Sequence, residues 1–257
     1  MNKQISILLT AFALLLLAPL VASAQQQEPP TFTFVSEWAI PRAQWPEYQA
    51  AREKNTKPIF DKMLADGTII GWGMYVTVVH DESGITHGTW YEATSIAALE
   101  RVLGELIKLT PSPTQLAATK HRDYLLRSSL RRSKAASGAN GYLWVSANQV
   151  QPGKGREWRD LWDKNSKPLV EELFANGTIS AYWVEGEQVH TDNPGWIYVV
   201  WTAPNADAVD KFFAAATARS QKRSAEENRA IGDAFAAVSV AGTHRDFFAR
   251  VTHYAQK

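Results

Sequence analysis

The side chains best suited to chemistry occur twice in this chain. Val79-His80 recurs as Val189-His190, and His121-Arg122-Asp123-Tyr124 recurs as His244-Arg245-Asp246-Phe247. An imidazole titrates near neutral pH, so it can act as a base or bind a metal or haem iron. The histidines match no short metal-ligand spacing, and a strand-end histidine that only forms hydrogen bonds is the other interpretation. The candidate ligand-binding histidines are His80, His190, His121 and His244.

Arg122 and Arg245 are a second pair of candidates. Side chains alternate between the two faces of a strand, so Arg122 and Tyr124 lie on the face opposite to His121 and Asp123. An arginine that pairs with a carboxylate across the sheet has a structural role. An arginine that lies unpaired inside a barrel would instead recognise an anionic ligand.

Asn55 and Asn165 form a third pair, and each precedes a proline by three residues in a predicted helix. At about 100° per residue, both asparagines lie on the apolar stripe that should face the sheet. The proline lacks the N–H that would bond the carbonyl of Lys54 or Lys164. Each amide therefore either satisfies a freed carbonyl or points into a cavity and orients a ligand.

These pairs belong to a longer internal repeat. KNTKPIFDKMLADGTI at 54–69 and KNSKPLVEELFANGTI at 164–179 share eight of sixteen residues at an offset of 110. The offset grows to 123 between the two HRD motifs, a difference of 13 residues. The chain is thus interpreted as a tandem duplication whose second copy has an insertion, with an extra helix near 219–240.

Each copy has the predicted order β-α-β-β-α-β, which is the ferredoxin-like unit. The domains predicted are a first repeat at 25–132, a polar linker at 133–141 and a second repeat at 142–257. Both helices of such a unit cover one face of its sheet, and the apolar face left bare must be buried. We therefore expect an α+β fold in which the two repeats pack sheet to sheet as an intramolecular α+β barrel.

The order of elements, the Lys-Pro first helix, the Asp/Asn-Gly-Thr corner and the doubling together resemble the dimeric α+β barrel superfamily, including its NIPSNAP-like and antibiotic-biosynthesis-monooxygenase-like members. The resemblance covers nearly all of the chain after residue 24. Its members include cofactor-free oxygenases, haem-binding and haem-degrading proteins and dehydratases. Its motifs specify the fold, so it implies no catalytic residue here.

The two copies are not equivalent in their polar residues. Glu185 and Glu187 stand at the positions that Tyr75 and Thr77 occupy in the first copy. Both glutamates lie on one strand face and His190 on the other, so they cannot bind a metal together without a bulge. Two ligand sites, if both exist, would therefore differ.

The N-terminus and the composition suggest an exported protein. Residues 1–24 combine Lys3, an apolar run and Ala22-Ser23-Ala24, as in a cleavable signal peptide, so a periplasmic or secreted location is expected. Without Lys3 the basic and acidic residues balance at 26 each, which argues against a nucleic-acid partner. We expect no membrane span after cleavage. The sequence is compatible with either a monomer or a homo-oligomer. With no cysteine, stability must come from burial.

The leading functional hypothesis is a site for a small hydrophobic or aromatic molecule, with oxygenase-like chemistry and no tightly held cofactor. It rests on strand tryptophans near a few polar groups. One alternative is a haem or metal protein that uses the four histidines. The other is a non-catalytic structural or interaction protein whose barrel is packed solid. The tryptophans are Trp72, Trp90, Trp183, Trp196 and Trp201.

Overall fold

The computed structural model describes residues 30–79, 84–190 and 193–257. The predicted signal segment and His80 lie outside the described residues. The strands are β1 Thr31–Ala39, β2 Gly71–Thr77, β3 His87–Ala93, β4 Lys120–Ser133, β5 Ala136–Gly138, β6 Gly141–Gln149, β7 Ala181–Glu187, β8 Trp196–Ala203 and β9 Arg245–Gln256. The α-helices are α1 Trp45–Ala51, α2 Lys57–Ala65, α3 Ile96–Leu106, α4 Pro113–Leu116, α5 Gly155–Asn165, α6 Lys167–Ala175, α7 Ala206–Gln221 and α8 Ala225–Val238.

Eight of these strands close into an antiparallel barrel. Their order is β2-β3-β1-β4-β7-β8-β6-β9, and β2 also pairs with β9 to complete the ring. The pairs β4–β7 and β2–β9 join the four strands before residue 134 to the four strands after residue 140. Closure pairs the edge strands that each set would otherwise expose. The short strand β5 falls within the segment predicted as a linker and pairs with β9 outside the ring.

The helices cover the outside of the barrel and bury two apolar cores there. One core lies around Phe60, Trp72 and Tyr91, under α2 and α3. The other lies around Trp158, Trp162 and Tyr182, under α5, α6 and α8. The extra helix α8 begins with a capping box between Ser224 and Glu227. No helix in the described ranges combines the length and apolar character needed to cross a bilayer.

A π-helical turn at Arg52–Thr56 separates α1 from α2. Such a turn has more residues than an α-turn, so it changes which side chains face the sheet. Arg52 is buried against the sheet, whereas Asn55 is exposed. The prediction that Asn55 faces the sheet is therefore wrong, because it assumed one uninterrupted helical period.

Candidate functional site

The barrel encloses a cavity of about 370 Å³, in the size range of small-molecule sites. Side chains that alternate inward on the strands form its wall. The wall grades from exposed residues at one barrel end, such as Arg245, to buried ones such as Trp183 and Glu185. Its lining residues are Thr33, Val35, Glu37, Tyr75, Trp90, Glu92, Arg122, Asp123, Tyr124, Leu126, Leu143, Val145, Ala147, Trp183, Glu185, Glu187, Trp196, Tyr198, Val200, Arg245, Asp246 and Phe247.

Arg122, Glu37, Gly88 and Tyr75 follow one another on the paired strands β4, β1, β3 and β2, and we name them the first row. The Nε of Arg122 donates to Oε2 of Glu37 at 2.6 Å, and the Tyr75 hydroxyl donates to Oε1 of Glu37 at 2.6 Å. Tyr75 reaches Glu37 across Gly88, where a Cβ would overlap the Tyr75 ring. The polar groups of the first row thus satisfy one another.

Arg245, Ala147, Tyr198 and Glu185 occupy the corresponding positions on β9, β6, β8 and β7, and we name them the second row. Ala147 stands where the first row has the carboxylate of Glu37. Glu185 stands where the first row has the hydroxyl of Tyr75. Tyr198 fills the position of the glycine, and its hydroxyl donates to Oε1 of Glu187 at 3.0 Å. The second row therefore lacks the internal network of the first.

Glu185 is the buried carboxyl of the second row, with a residue exposure of 4%. Its Oε1 accepts hydrogen bonds from Oγ1 of Thr33 at 2.5 Å and from Oγ of Ser128 at 2.8 Å. Burial raises the pKa of Glu185 to about 7, and the nearby Glu92 carboxylate adds to the rise. Both hydroxyl donors oppose this rise, as does the Arg131 guanidinium. Near neutral pH this carboxyl can therefore either take up or donate a proton.

A second buried carboxyl, Glu92, lies at the deep end of the cavity. Its Oε2 accepts from Nε of Arg131 and from Nε1 of Trp183, the latter at 3.0 Å. The Arg131–Glu92 ion pair is buried, since their side chains are 14% and 1% exposed. This pair fixes the Trp183 ring as part of the cavity wall and places a negative charge near Glu185.

The tyrosines of the wall keep their protons near neutral pH. Burial raises the pKa of Tyr124 to about 12, and burial together with the Glu187 carboxylate raises the pKa of Tyr198. Burial and the Glu37 carboxylate likewise raise the pKa of Tyr75. These phenols are therefore hydrogen-bond donors and apolar surfaces, and Glu185 is the better base.

The described candidate histidines lie away from the cavity wall. His121 stacks on Trp38 with ring centroids 3.7 Å apart, and its Nε2 is 3.0 Å from an Asp123 oxygen. His244 likewise lies beside a serine and an aspartate, with Nε2 3.2 Å from Ser146 Oγ and 3.5 Å from an Asp246 oxygen. His190 is exposed beyond the end of β7. None of these three is among the residues that line the cavity.

The asparagines also lie outside the cavity. The amide Nδ2 of Asn165 donates to the carbonyl oxygen of Leu161 at 2.9 Å, so it bonds its own helix. The proline frees a different carbonyl, that of Lys164. Asn55 borders a small recess of about 20 Å³ between α1 and α4. A ligand-binding role for either asparagine stays a prediction without support from the cavity.

Of the predicted histidines, asparagines and arginines that the structure describes, the two arginines line the cavity. Of the five strand tryptophans, Trp90, Trp183 and Trp196 line it, whereas Trp72 and Trp201 belong to the outer cores. Strand alternation separated Arg122 from the neighbouring histidine. The ion pair of Arg122 with Glu37 matches the predicted structural role, in which the arginine pairs with a carboxylate across the sheet. Glu37 and Glu92 also line the cavity and were not among the predicted residues. Each of these glutamates stands two residues after another inward-facing residue of its strand. That spacing of two would have placed both on the inner face of the barrel.

The wall does not fit a haem held by histidine, because imidazoles are missing from the lining residues that the structure describes. Across the described ranges, no group of three or more histidine, aspartate or glutamate side chains is arranged to hold a metal ion.

Comparison with known proteins places the fold. No family model matches the chain, and no curated protein matches its sequence. A candidate monooxygenase from Lactobacillus acidophilus NCFM superposes with a TM-score of 0.62 at 14% identity, over 89% of this chain and 97% of that chain. One from Fusobacterium nucleatum subsp. nucleatum ATCC 25586 has a TM-score of 0.62 at 10% identity, over 90% and 96%.

An anthrone oxidase-like protein superposes with a TM-score of 0.55 at 13% identity, over 90% of this chain and 94% of that chain. At these identities the likeness shows the fold alone. The mixed α+β architecture with eight antiparallel barrel strands is consistent with a dimeric α+β barrel fold, built here within one polypeptide.

Proposed function

We propose that the protein binds a small aromatic molecule in its barrel cavity and that Glu185 removes a proton from it. The ligand is a phenol or an enolisable aromatic ketone, whose conjugate base is electron-rich. That anion then gives an electron pair to dioxygen, so that a carbon–oxygen bond forms and dioxygen is reduced to the peroxide level. No tightly held cofactor is needed for these steps.

The observation that carries this proposal is the buried carboxyl of Glu185 in an aromatic cavity, with a pKa of about 7. A general base works best when its pKa lies near the working pH. Tyr198 pairs with Glu185 across β8 and β7, and Trp183 lies two residues along the same face of β7, so these two rings provide flat apolar walls for a ligand ring beside that carboxyl. The enclosed volume also disfavours the alternative of a solid, purely structural barrel.

The choice of oxidation rests on fold likeness to the candidate monooxygenases and the anthrone oxidase-like protein. Fold likeness is an analogy, so the chemistry must be tested directly. Oxygen uptake should be measured with a panel of phenols and enolisable aromatic ketones that includes anthrone. The rate should rise with pH through about 7 as Glu185 loses its proton.

The variant E185Q keeps an acceptor for Thr33 and Ser128 but cannot take up a proton. We expect it to lower the rate by about 100-fold or more. The matched control is E172Q, because Glu172 is exposed on helix α6. Equal rates for E185Q and the wild type would exclude Glu185 as the base.

Haem binding through His80, His190, His121 or His244 stays a hypothesis from the sequence. A hemin titration tests it, since replacement of all four histidines should then remove the Soret shift.

We also propose that the chain arose by duplication of a ferredoxin-like unit and that it is exported. The internal repeat and the matching order of elements in the two halves support the duplication. The signal-like segment at 1–24 supports export. N-terminal sequencing of the protein recovered from outside the cytoplasm should begin at Gln25.

A further inference from the structure

The first row shows how this barrel neutralises a guanidinium at the open end of its cavity. Arg122 donates to the Glu37 carboxylate, which is only 8% exposed and also accepts from Tyr75. In the second row the same strand position carries Ala147 instead of a carboxylate. In the described part of the chain, Arg245 therefore has no acidic partner of the kind that Arg122 has.

Arg245 remains available to the cavity. Among the described residues, no hydrogen bond or ion pair involves its guanidinium. Its Cζ lies 5.4 Å from the centroid of the Trp196 ring, which also lines the cavity. The ring orients the guanidinium without neutralising it.

Two nearby carboxylates have other contacts. Glu187 accepts from the Tyr198 hydroxyl, and Asp246 lies 3.5 Å from Nε2 of His244. Their charges reduce the attraction that an anion feels at Arg245. They do not supply the ion pair that Glu37 gives to Arg122.

We infer that a carboxylate of the ligand takes the place above Ala147 that Glu37 occupies in the first row, and that Arg245 binds it. This inference rests on the proposed function and narrows the ligand to a small aromatic acid. Ala147 and Glu185 are two strands apart, or about 10 Å. A single aromatic ring with a carboxylate at one end and a hydroxyl at the other can span that distance.

Binding of three matched probes tests the inference: 4-hydroxyphenylacetate, its neutral amide and the cationic tyramine. Their Kd values should be measured by calorimetry at neutral pH and low salt. We expect the acid to bind about fivefold more tightly than the amide, as for a partly exposed charge pair. R245Q should reduce that ratio to about one and leave the binding of the amide unchanged.

R250Q is the matched control, since Arg250 is exposed on the same strand and does not line the cavity. The inference is overturned if R245Q keeps the wild-type ratio, or if tyramine binds best. Binding of the acid and the amide with equal affinity would overturn it and leave the proposed function standing. If none of the three probes binds, the aromatic site itself fails.

A147E tests the geometry without any ligand, because it supplies the carboxylate that the second row lacks. In the wild-type background we expect its Tm to be unchanged or higher, since Arg245 can pair with the new side chain. In the R245Q background the same substitution should lower Tm. An equal loss of Tm in both backgrounds would show that Arg245 does not face the space above Ala147.

Discussion

The two rows of the barrel wall use the same strand positions in different ways. In the first row, Arg122, Glu37 and Tyr75 satisfy one another across Gly88. In the second row, Glu185 is buried with a raised pKa, and no acidic residue that the structure describes forms an ion pair with Arg245. The first row therefore stabilises the barrel, whereas the second row keeps polar groups that a ligand can use.

The difference teaches that the position of a carboxylate determines its role. Glu37 lies between two donors, so its negative charge is compensated. Burial makes the charged form of Glu185 unfavourable, and the nearby Glu92 carboxylate adds to this, while the two hydroxyl donors offset it only in part. Both glutamates lie on strands of one barrel, and their neighbours across the sheet make the difference.

The largest expected effect on stability comes from replacing Glu185 with glutamine. The folded-state pKa of about 7 lies above the ordinary value of 4.5, so the free energy of unfolding of the wild type falls as pH rises from 4.5 to about 7, where the folded protein still holds a proton that the unfolded chain has lost. The difference between these values corresponds to about 3 kcal/mol. Relative to the wild type, E185Q should gain up to about this amount above pH 7 and nothing below pH 4.5.

Urea denaturation at a series of pH values measures this effect, with E172Q as the reference substitution. If the free energies of unfolding of E185Q and the wild type changed with pH in parallel, the pKa of Glu185 would not be raised by folding.

A smaller effect is expected from adding a methyl group in the first row. A Cβ at Gly88 would overlap the Tyr75 ring, so G88A should cost about 2 kcal/mol of unfolding free energy. The cost should largely disappear in the Y75A background. Gly104 is the control, because it lies on helix α3 with open space around it and G104A should not destabilise the protein. An equal loss of unfolding free energy on G88A in the wild-type and Y75A backgrounds would contradict the packing of Gly88 against the Tyr75 ring.

The smallest expected changes in unfolding free energy come from replacing the two cavity arginines. R122Q removes a charged donor from Glu37 and should cost about 1 kcal/mol. R245Q should change the free energy of unfolding by less than about 0.5 kcal/mol, because no described residue bonds its guanidinium. Chemical denaturation of both variants measures the difference. A loss for R245Q as large as that for R122Q would show that the second row is also internally paired.

Much of the fold could be predicted from the sequence. Alternation separated Arg122 from His121 without indicating which strand face is inner, and the repeat indicated that Glu185 stands where Tyr75 does. Such patterns are local, and a single strand or helix carries them. The polar contacts could not be predicted in the same way, because Arg122–Glu37 and Thr33–Glu185 join residues 85 and 152 positions apart.

The position of Asn55 shows a second reason for failure. A π-helical turn of five residues displaced it from the buried stripe, and no residue type in Arg52–Thr56 specifies that turn. Packing of Arg52 against the Gly88 carbonyl and Thr89 accompanies the turn, and this contact again joins distant parts of the chain.

The proposed chemistry depends most directly on the protonation of Glu185 in the folded protein. Infrared difference spectra of wild type minus E185Q, recorded across a pH titration, isolate the carboxyl signal of this residue. We predict that the protonated carboxyl band persists above pH 4.5 and disappears with a midpoint near pH 7. A midpoint near pH 4.5 would contradict the proposed role of Glu185 as a base that works near neutral pH.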